Sequence, residues 1–341
     1  MNEPLEYRSR IPKLQSASAP ITHEGVLVAP DRRDGLLYDC EPDLQLAVEV
    51  ALVTGRPLLL RGNPGSGKSS LAAFVARALN RRYYEHVVTS TTRAADLLWR
   101  FDPVKRLSDA QADGVAHDAQ YIEPGALWWA FDSESARHRG IAAGTVKEAV
   151  DPNEELNRDR DPRRSVVLID ELDKADPDVP NGLLVPLGSA SFSVEQLGIE
   201  VTRPPVAPDD LKHSGLSPLL VVITTNEERD LPPAFLRRCV DYTLPDPDKE
   251  RLVAIGRLHL EAEAGHVGPD DETLLDALAA RVEGMARTAR DRRERPPSTA
   301  EYLDAVRACR ALEIAVGNSR AWKLLARATL DKRATGQFDQ G

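Results

Sequence analysis

The sequence predicts an α/β fold, a parallel β-sheet sandwiched by helices, followed by a small all-helical domain. Three observations predict it. Short apolar runs occur at 57–61 (in RPLLLRG), from Ser165 (SVVLIDE) and from Pro218 (PLLVVITTNE), with the length and β-rich composition of buried strands. Helical stretches separate these runs, the pattern of a sheet covered on both faces. From Asp246 onward the strand pattern stops, and KERLVAIGRLHLEAE, DETLLDALAARVEGMA and TAEYLDAVRACRALEIAV each read as a helix.

In chain order, residues 1–38 carry Pro4, Pro12, Pro20 and Pro30 with little periodicity and read as an extended arm. Leu44, Val48 and Leu52 then recur at helical spacing, and Gly55 closes that helix before the first strand. Two segments look like additions to a minimal core. In the first, 94–131, AADLLWRF reads as a helix, 108–120 as a loop or hairpin tip, and EPGALWWAF as a second helix starting near Pro124. Trp128, Trp129 and Phe131 in that second helix are read as core packing rather than as partner-facing residues, while Trp99 and Phe101 stay open between the two. The second segment, 132–164, is so rich in Asp, Glu, Arg and Gly that a solvated loop is expected. The predicted organisation is an arm at 1–38, an α/β domain at 39–245 with an insert at 94–122 and the charged loop at 132–164, and a helical domain with a tail at 246–341.

Composition narrows the function classes. The chain has 341 residues, 42% hydrophobic and 29% charged, which excludes wholesale disorder. No run approaches the roughly 18 consecutive apolar residues of a membrane span, and the start, MNEPLEYRSR, lacks a signal-peptide pattern. A cytoplasmic protein without a membrane partner is expected. Lys and Arg number 44 against 54 Asp and Glu, a net charge of −10, which disfavours a broad nucleic-acid surface, although RDRRER at Arg290–Arg295 is a local basic run. Cys40, Cys239 and Cys309 are widely spaced and support neither a disulfide framework nor a zinc site.

The strongest chemical signal is G-N-P-G-S-G-K-S, Gly62 to Ser69, which matches G-x-x-x-x-G-K-[ST] between a strand and a helix. Glycines let the backbone wrap around phosphates with N–H groups pointing inward, and the following helix N-terminus adds positive potential. Lys68 is placed to neutralise β and γ oxygens and Ser69 to ligate Mg²⁺. The nucleotide-binding set is therefore Gly62, Asn63, Pro64, Gly65, Ser66, Gly67, Lys68, Ser69 and Ser70, with ATP and Mg²⁺ as cofactors.

About a hundred residues on, Val166 to Asp176 (VVLIDELDKAD) delivers two carboxylates at the end of a strand. Asp170 suits the Mg²⁺ shell and Glu171, on the opposite side, suits the general base for water. An acidic pair after a strand is a weak signal alone; the upstream phosphate loop gives it meaning. Asn226, at the end of the third buried run, can reach the γ-phosphate or the lytic water. Arg237 and Arg238 end a short amphipathic helix and suit an arginine finger directed at a neighbouring subunit, or a solvated charge pair.

The order of these motifs resembles that of the AAA+ ATPases over residues 40–312: Walker A at 62–69, Walker B at 166–171, sensor 1 at Asn226 and a finger arginine. The insert AADLLWRFDP, the segment EPGALWWAF and a hairpin-like SFSVEQLGIEV are similar to features of the MoxR-like and dynein-related branch. The resemblance implies a homo-oligomeric ring, commonly a hexamer, with ATP between subunits and a helical lid. It implies Arg238 as the finger, with Arg237 second. A lid arginine is expected near the start of the third lid helix, where this chain has Thr299 and Glu301; Arg295 is the nearest substitute.

The leading reading is an ATP-hydrolysing remodeller acting on a protein client, in that branch often one with a von Willebrand factor A domain. A nucleotide-dependent switch or scaffold in a bacterial conflict or antiphage assembly is the alternative, and a nucleic-acid motor a third. A small-molecule kinase shares the phosphate loop, but the Asp170–Glu171 pair, Asn226 and the helical lid count against it.

Overall fold

The computed structural model describes residues 34–112, 114–205, 215–292, 294–317 and 319–331. The expected N-terminal arm lies outside them apart from 34–38. The described residues fall into two units: Glu41–Arg61 with Leu71–Thr243, and 34–40 with Gly62–Ser70 and 244–331.

The first unit is built on five parallel strands, β1 (Leu58–Arg61), β2 (Arg81–Val87), β5 (Asp161–Asp170), β8 (Leu219–Thr224) and β9 (Val240–Thr243), in the order β2-β5-β8-β1-β9. This is the predicted parallel sheet, with two strands beyond the three apolar runs. β2 and β9 escaped notice because they are edge strands. RRYYEHV and VDYT mix polar with apolar residues and leave several side chains exposed or half-buried, whereas the central VVLI and LLVVIT are buried almost throughout.

Helices α1 (Pro42–Thr54), α2 (Lys68–Ala78), α4 (Ala126–Phe131) and α7 (Asp178–Ser189) belong to the layers around this sheet. Gly55 ends α1 in the left-handed conformation, φ 66°, as its position predicts. All six residues of α4 are buried, and Trp128 and Phe131 pack on Phe192, with Trp128 edge-on to it at 5.7 Å. The core reading of Trp128, Trp129 and Phe131 therefore holds. Gly125 caps this helix where no side chain fits, since a Cβ there would meet the Leu97 carbonyl oxygen at 2.5 Å.

Three local expectations need correction. AADLLWRF is not one helix: a 3₁₀ turn at Ala94–Leu97 leads into β3 (Trp99–Phe101), which pairs antiparallel with β4 (Ile122–Pro124). Trp99 and Phe101 are half-buried against the core, and the Trp99 indole donates to the Ser193 carbonyl. The segment 108–120, read as a loop or hairpin tip, does lie between the paired strands β3 and β4, but it contains the second half of α3 (Pro103–Ala112), a helix with no buried residue.

The charged segment 132–164 is also more ordered than its composition suggests. It forms α5 (Ser133–Arg137), α6 (Glu154–Asn157) and the start of β5. Asn157 is buried against the open edge of β2, where its Oδ1 accepts from Tyr83 N at 2.8 Å and its Nδ2 donates to Tyr83 O at 3.2 Å. One side-chain amide thus completes an edge residue's backbone bonding. The buried Asp151 accepts from the Tyr84 hydroxyl and from Asn157, and burial with Asp151 nearby pushes the Tyr84 hydroxyl pKa above its usual range.

SFSVEQLGIEV forms the expected hairpin, with β6 (Ser191–Val194) antiparallel to β7 (Ile199–Thr202). α8 (Pro233–Leu236) is the short helix before Arg237.

The second unit contains α9 (Lys249–Ala264), α10 (Pro269–Arg292) and α11 (Thr299–Ala311), as predicted, and a further helix α12 (Arg320–Thr329). Leu252, Leu260, Leu275, Leu278, Tyr302, Val306 and Trp322 form its core. Burying each such side chain contributes about 1.5–3 kcal/mol. Among the described residues no helix is long and apolar enough to cross a membrane.

Candidate functional site

Because all five strands run parallel, their carboxyl ends share one edge of the sheet, where open α/β sheets place their ligands. β5 ends there on Asp170 and β8 on Thr224. Both are buried, and Thr224 Oγ1 donates to Asp170 Oδ1 at 2.6 Å while accepting from Glu171 N at 2.8 Å. One hydroxyl therefore ties the end of β8 to the two carboxylate residues that leave β5.

Glu171 leaves the strand in the left-handed region, φ 58°, rare for a residue with a Cβ. Its Oε1 accepts from Asn226 Nδ2 at 3.3 Å and its Oε2 from Lys174 Nζ at 2.5 Å. That bond to Glu171 raises the Lys174 pKa above its ordinary value. Asn226 sits two residues past the end of β8 rather than on the strand itself. Its backbone N–H donates to Asp173 Oδ2 at 3.1 Å, as does that of Glu228 at 2.9 Å. Asp173 is almost wholly buried and fixes the loop that carries Asn226. The predicted Asp170, Glu171 and Asn226 are thus brought together. Thr224, Asp173 and Lys174 complete the cluster and were missed, although TT before Asn226 and LDK after Glu171 stand in the sequence.

In the second unit the loop Gly62–Gly67 carries positive φ at Gly62, Gly65 and Gly67. Lys68, 6% exposed, opens α2, and its Nζ donates to the carbonyls of Gly62 at 2.7 Å and Asn63 at 2.9 Å. The ammonium is thereby drawn over the loop whose N–H groups would face phosphate oxygens. Asn63 donates to the Asp246 carboxylate at 2.9 Å.

The start of α11 packs on this loop. Ala300 N donates to Gly65 O at 3.2 Å, and a Cβ on Gly65 would lie 2.7 Å from Ser298 Oγ. Ser298 and Glu301 form a capping box, with Ser298 N donating to Glu301 Oε2 at 2.8 Å. Arg295 reaches the Pro64 carbonyl at 3.4 Å and Glu301 at 3.7 Å.

Comparison with known families agrees with this arrangement: the family described as AAA domain (dynein-related subfamily) matches residues 57–239, more than half of the chain. The chain belongs to this family. The chain also aligns, at 30% identity over 103 residues, with a mitochondrial Lon protease homologue of Yarrowia lipolytica, covering 30% of this chain and 9% of that one. Among solved structures it is similar to NtrX from Brucella abortus, with a TM-score of 0.47 and 16% identity, covering 90% of this chain and 58% of that one. It is similar as well to the RuvB Holliday junction branch migration motor of Thermotoga maritima, with a TM-score of 0.40 and 15% identity over 84% of this chain and 67% of that one.

The remaining predicted residues of the AAA domain lie apart from the Asp170 cluster in their bonding. Arg237 and Arg238 are exposed beyond α8, and the Arg238 guanidinium donates to the Ala234 carbonyl at 2.9 Å. Hard oxygen donors such as the Asp170 carboxylate and the Ser69 hydroxyl suit Mg²⁺. Among the described residues no group of three or more His, Cys, Asp and Glu side chains forms a metal cage. No disulfide joins the cysteines among the described residues; burial pushes the Cys239 thiol up to about 12 and the Cys309 thiol up to about 11.

Proposed function

We propose that this AAA domain binds and hydrolyses ATP with Mg²⁺, and that it works in a homo-oligomeric, commonly hexameric, ring of the MoxR-like branch that remodels or activates a protein client. The observation that carries the catalytic part is the Asp170–Thr224–Glu171–Asn226 cluster at the carboxyl edge of the sheet. In this reading Lys68 neutralises the β and γ oxygens, Ser69 and Asp170 serve the metal, and Asn226 orients water. Glu171 takes the proton as that water attacks. Magnesium, when bound, neutralises charge on the phosphate oxygens. Arg238, with Arg237 as its alternate, supplies a guanidinium to the neighbouring subunit, and its exposure suits that role. A client with a von Willebrand factor A domain and a cytoplasmic location accompany the MoxR-like reading.

The test is the steady-state ATPase rate against protein concentration with Mg²⁺, using Glu171→Gln as the blank. A specific rate that rises steeply with concentration supports active sites completed between subunits. A rate equal to the blank at every concentration, despite nucleotide binding, removes the hydrolytic reading. It would leave the nucleotide-dependent switch, which one observation already favours: both Glu171 carboxylate oxygens are held, by Lys174 and by Asn226.

A further inference from the structure

At the amino end of the sheet lies a cavity of about 480 Å³, walled by the starts of β2, β5 and β8 and by the chain leaving β7. That volume is within the roughly 300–1,000 Å³ of small-molecule sites. Arg82, Arg137, Arg163, Arg164 and Arg203 line it. Among the described residues two carboxylates share the wall, Asp132 and Glu134, and Asp132 already caps α5 by accepting from Ser135 N. In a chain of net charge −10, five guanidinium groups around one cavity are a local reversal of sign.

Among the described residues the arginines other than Arg163 have few carboxylate partners. Asp161 is shared, at 3.5 Å from Arg163 and 3.6 Å from Arg164, and Arg137 stands 3.9 Å from Glu148. Arg82 donates one Nη to Ser133, but its Nε is buried without a hydrogen-bond partner. Arg203 has no carboxylate partner among the described residues, and burial pushes its pKa down. The neighbouring Arg81 is fully buried, and burial with Arg164 close by lowers its pKa to about 10. Arg82, Arg164 and Arg203 are only partly removed from water, and an anion joining them offsets that partial desolvation.

The cations are all arginine, whose planar fork pairs with two oxygens of a phosphate at once. Beside them Pro162, Pro204 and Pro205 add apolar ring surface to the lining. We propose that this cavity is a second ligand site, taking a phosphorylated small molecule that carries a ring, with its oxyanion on Arg82, Arg164 and Arg203 and its ring on the proline wall. The site stands at the opposite end of β5 from Asp170, six residues or about 20 Å away. It is independent of the hydrolytic reading above.

The test uses the full chain carrying Lys68→Ala, which silences the phosphate loop, titrated calorimetrically with inorganic pyrophosphate and with ADP. The proposal expects one pyrophosphate or one ADP per chain, ADP at least tenfold tighter, and each weakened tenfold or more when Arg203→Gln is added. Arg164→Gln gives the same reading should Arg203→Gln fail to fold, as judged by thermal melting. ADP binding that persists unchanged in both arginine variants belongs to the phosphate loop and overturns the proposal, as does no binding at millimolar probe. Equal affinity for the two probes would reduce the cavity to a plain oxyanion site and overturn the ring assignment. Binding of an Asp/Glu-rich peptide without binding of either phosphate would make it a peptide dock instead.

Discussion

Thr224 Oγ1 stands 2.6 Å from Asp170 Oδ1, so the residue proposed to serve the metal is oriented by a hydroxyl from the neighbouring strand. The same oxygen accepts the Glu171 N–H. Thr224→Val keeps the shape and removes both bonds, leaving a buried carboxylate oxygen and a backbone N–H without this partner. We expect a loss of about 1–3 kcal/mol in unfolding free energy and a fall of about tenfold or more in Mg²⁺-dependent turnover. Denaturant melts and a magnesium titration of the ATPase rate check this. Unchanged magnesium dependence would reduce Thr224 to a packing residue.

Gly65→Ala tests how closely α11 holds the phosphate loop. At φ 77° a Cβ costs about 1–2 kcal/mol, and here it would also meet Ser298 Oγ at 2.7 Å. Nucleotide affinity should fall sharply. Adding Ser298→Gly removes the collision but not the backbone cost, so affinity should return only in part. Full recovery in the double variant would show that the collision was the whole effect.

Arg238→Ala should lower turnover by about 10³-fold with little change in nucleotide affinity. Mixing it with Lys68→Ala protein should restore part of the rate, since each variant supplies what the other lacks. Absence of rescue at any mixing ratio would mean that Arg238 acts within its own subunit or only on the Ala234 carbonyl it already holds.

Alkylation reports on the thiols. With pKa values pushed up to about 12 and about 11, Cys239 and Cys309 carry little thiolate at pH 8, roughly a hundredfold or more below an ordinary thiol. Iodoacetamide labelling of both should therefore be slow in the folded protein and fast in urea, as peptide mass mapping would show. As pH rises through 11 the Cys309 rate should climb first. Fast labelling of either at pH 8 would contradict their burial.

How much of this was legible in the sequence depends on whether a residue's neighbours are local. Gly62 to Ser69 and Val166 to Glu171 each carry their signal within a few positions, and the central strands declare themselves by continuous apolar runs. Thr224 and Asp173 act through bonds between the end of β8 and the turn after β5, so no spacing rule finds them, whereas Lys174 pairs with Glu171 three residues away. The ordering of 132–164 was hidden for a related reason. Its charges suggest solvation, whereas Asn157 and Asp151 are buried because they satisfy the polar edge of β2. Local composition could not reveal that pairing across 74 residues.

The left-handed backbone of Glu171 sets two selective demands against each other at one position. Glycine or asparagine would relax that φ of 58°, while only an acidic side chain suits the proposed proton transfer. A library of variants sorted for thermal resistance alone should drift towards Gly or Asn at residue 171. The same library sorted for turnover should return to Glu, making the occupant of this single site a record of which pressure was applied.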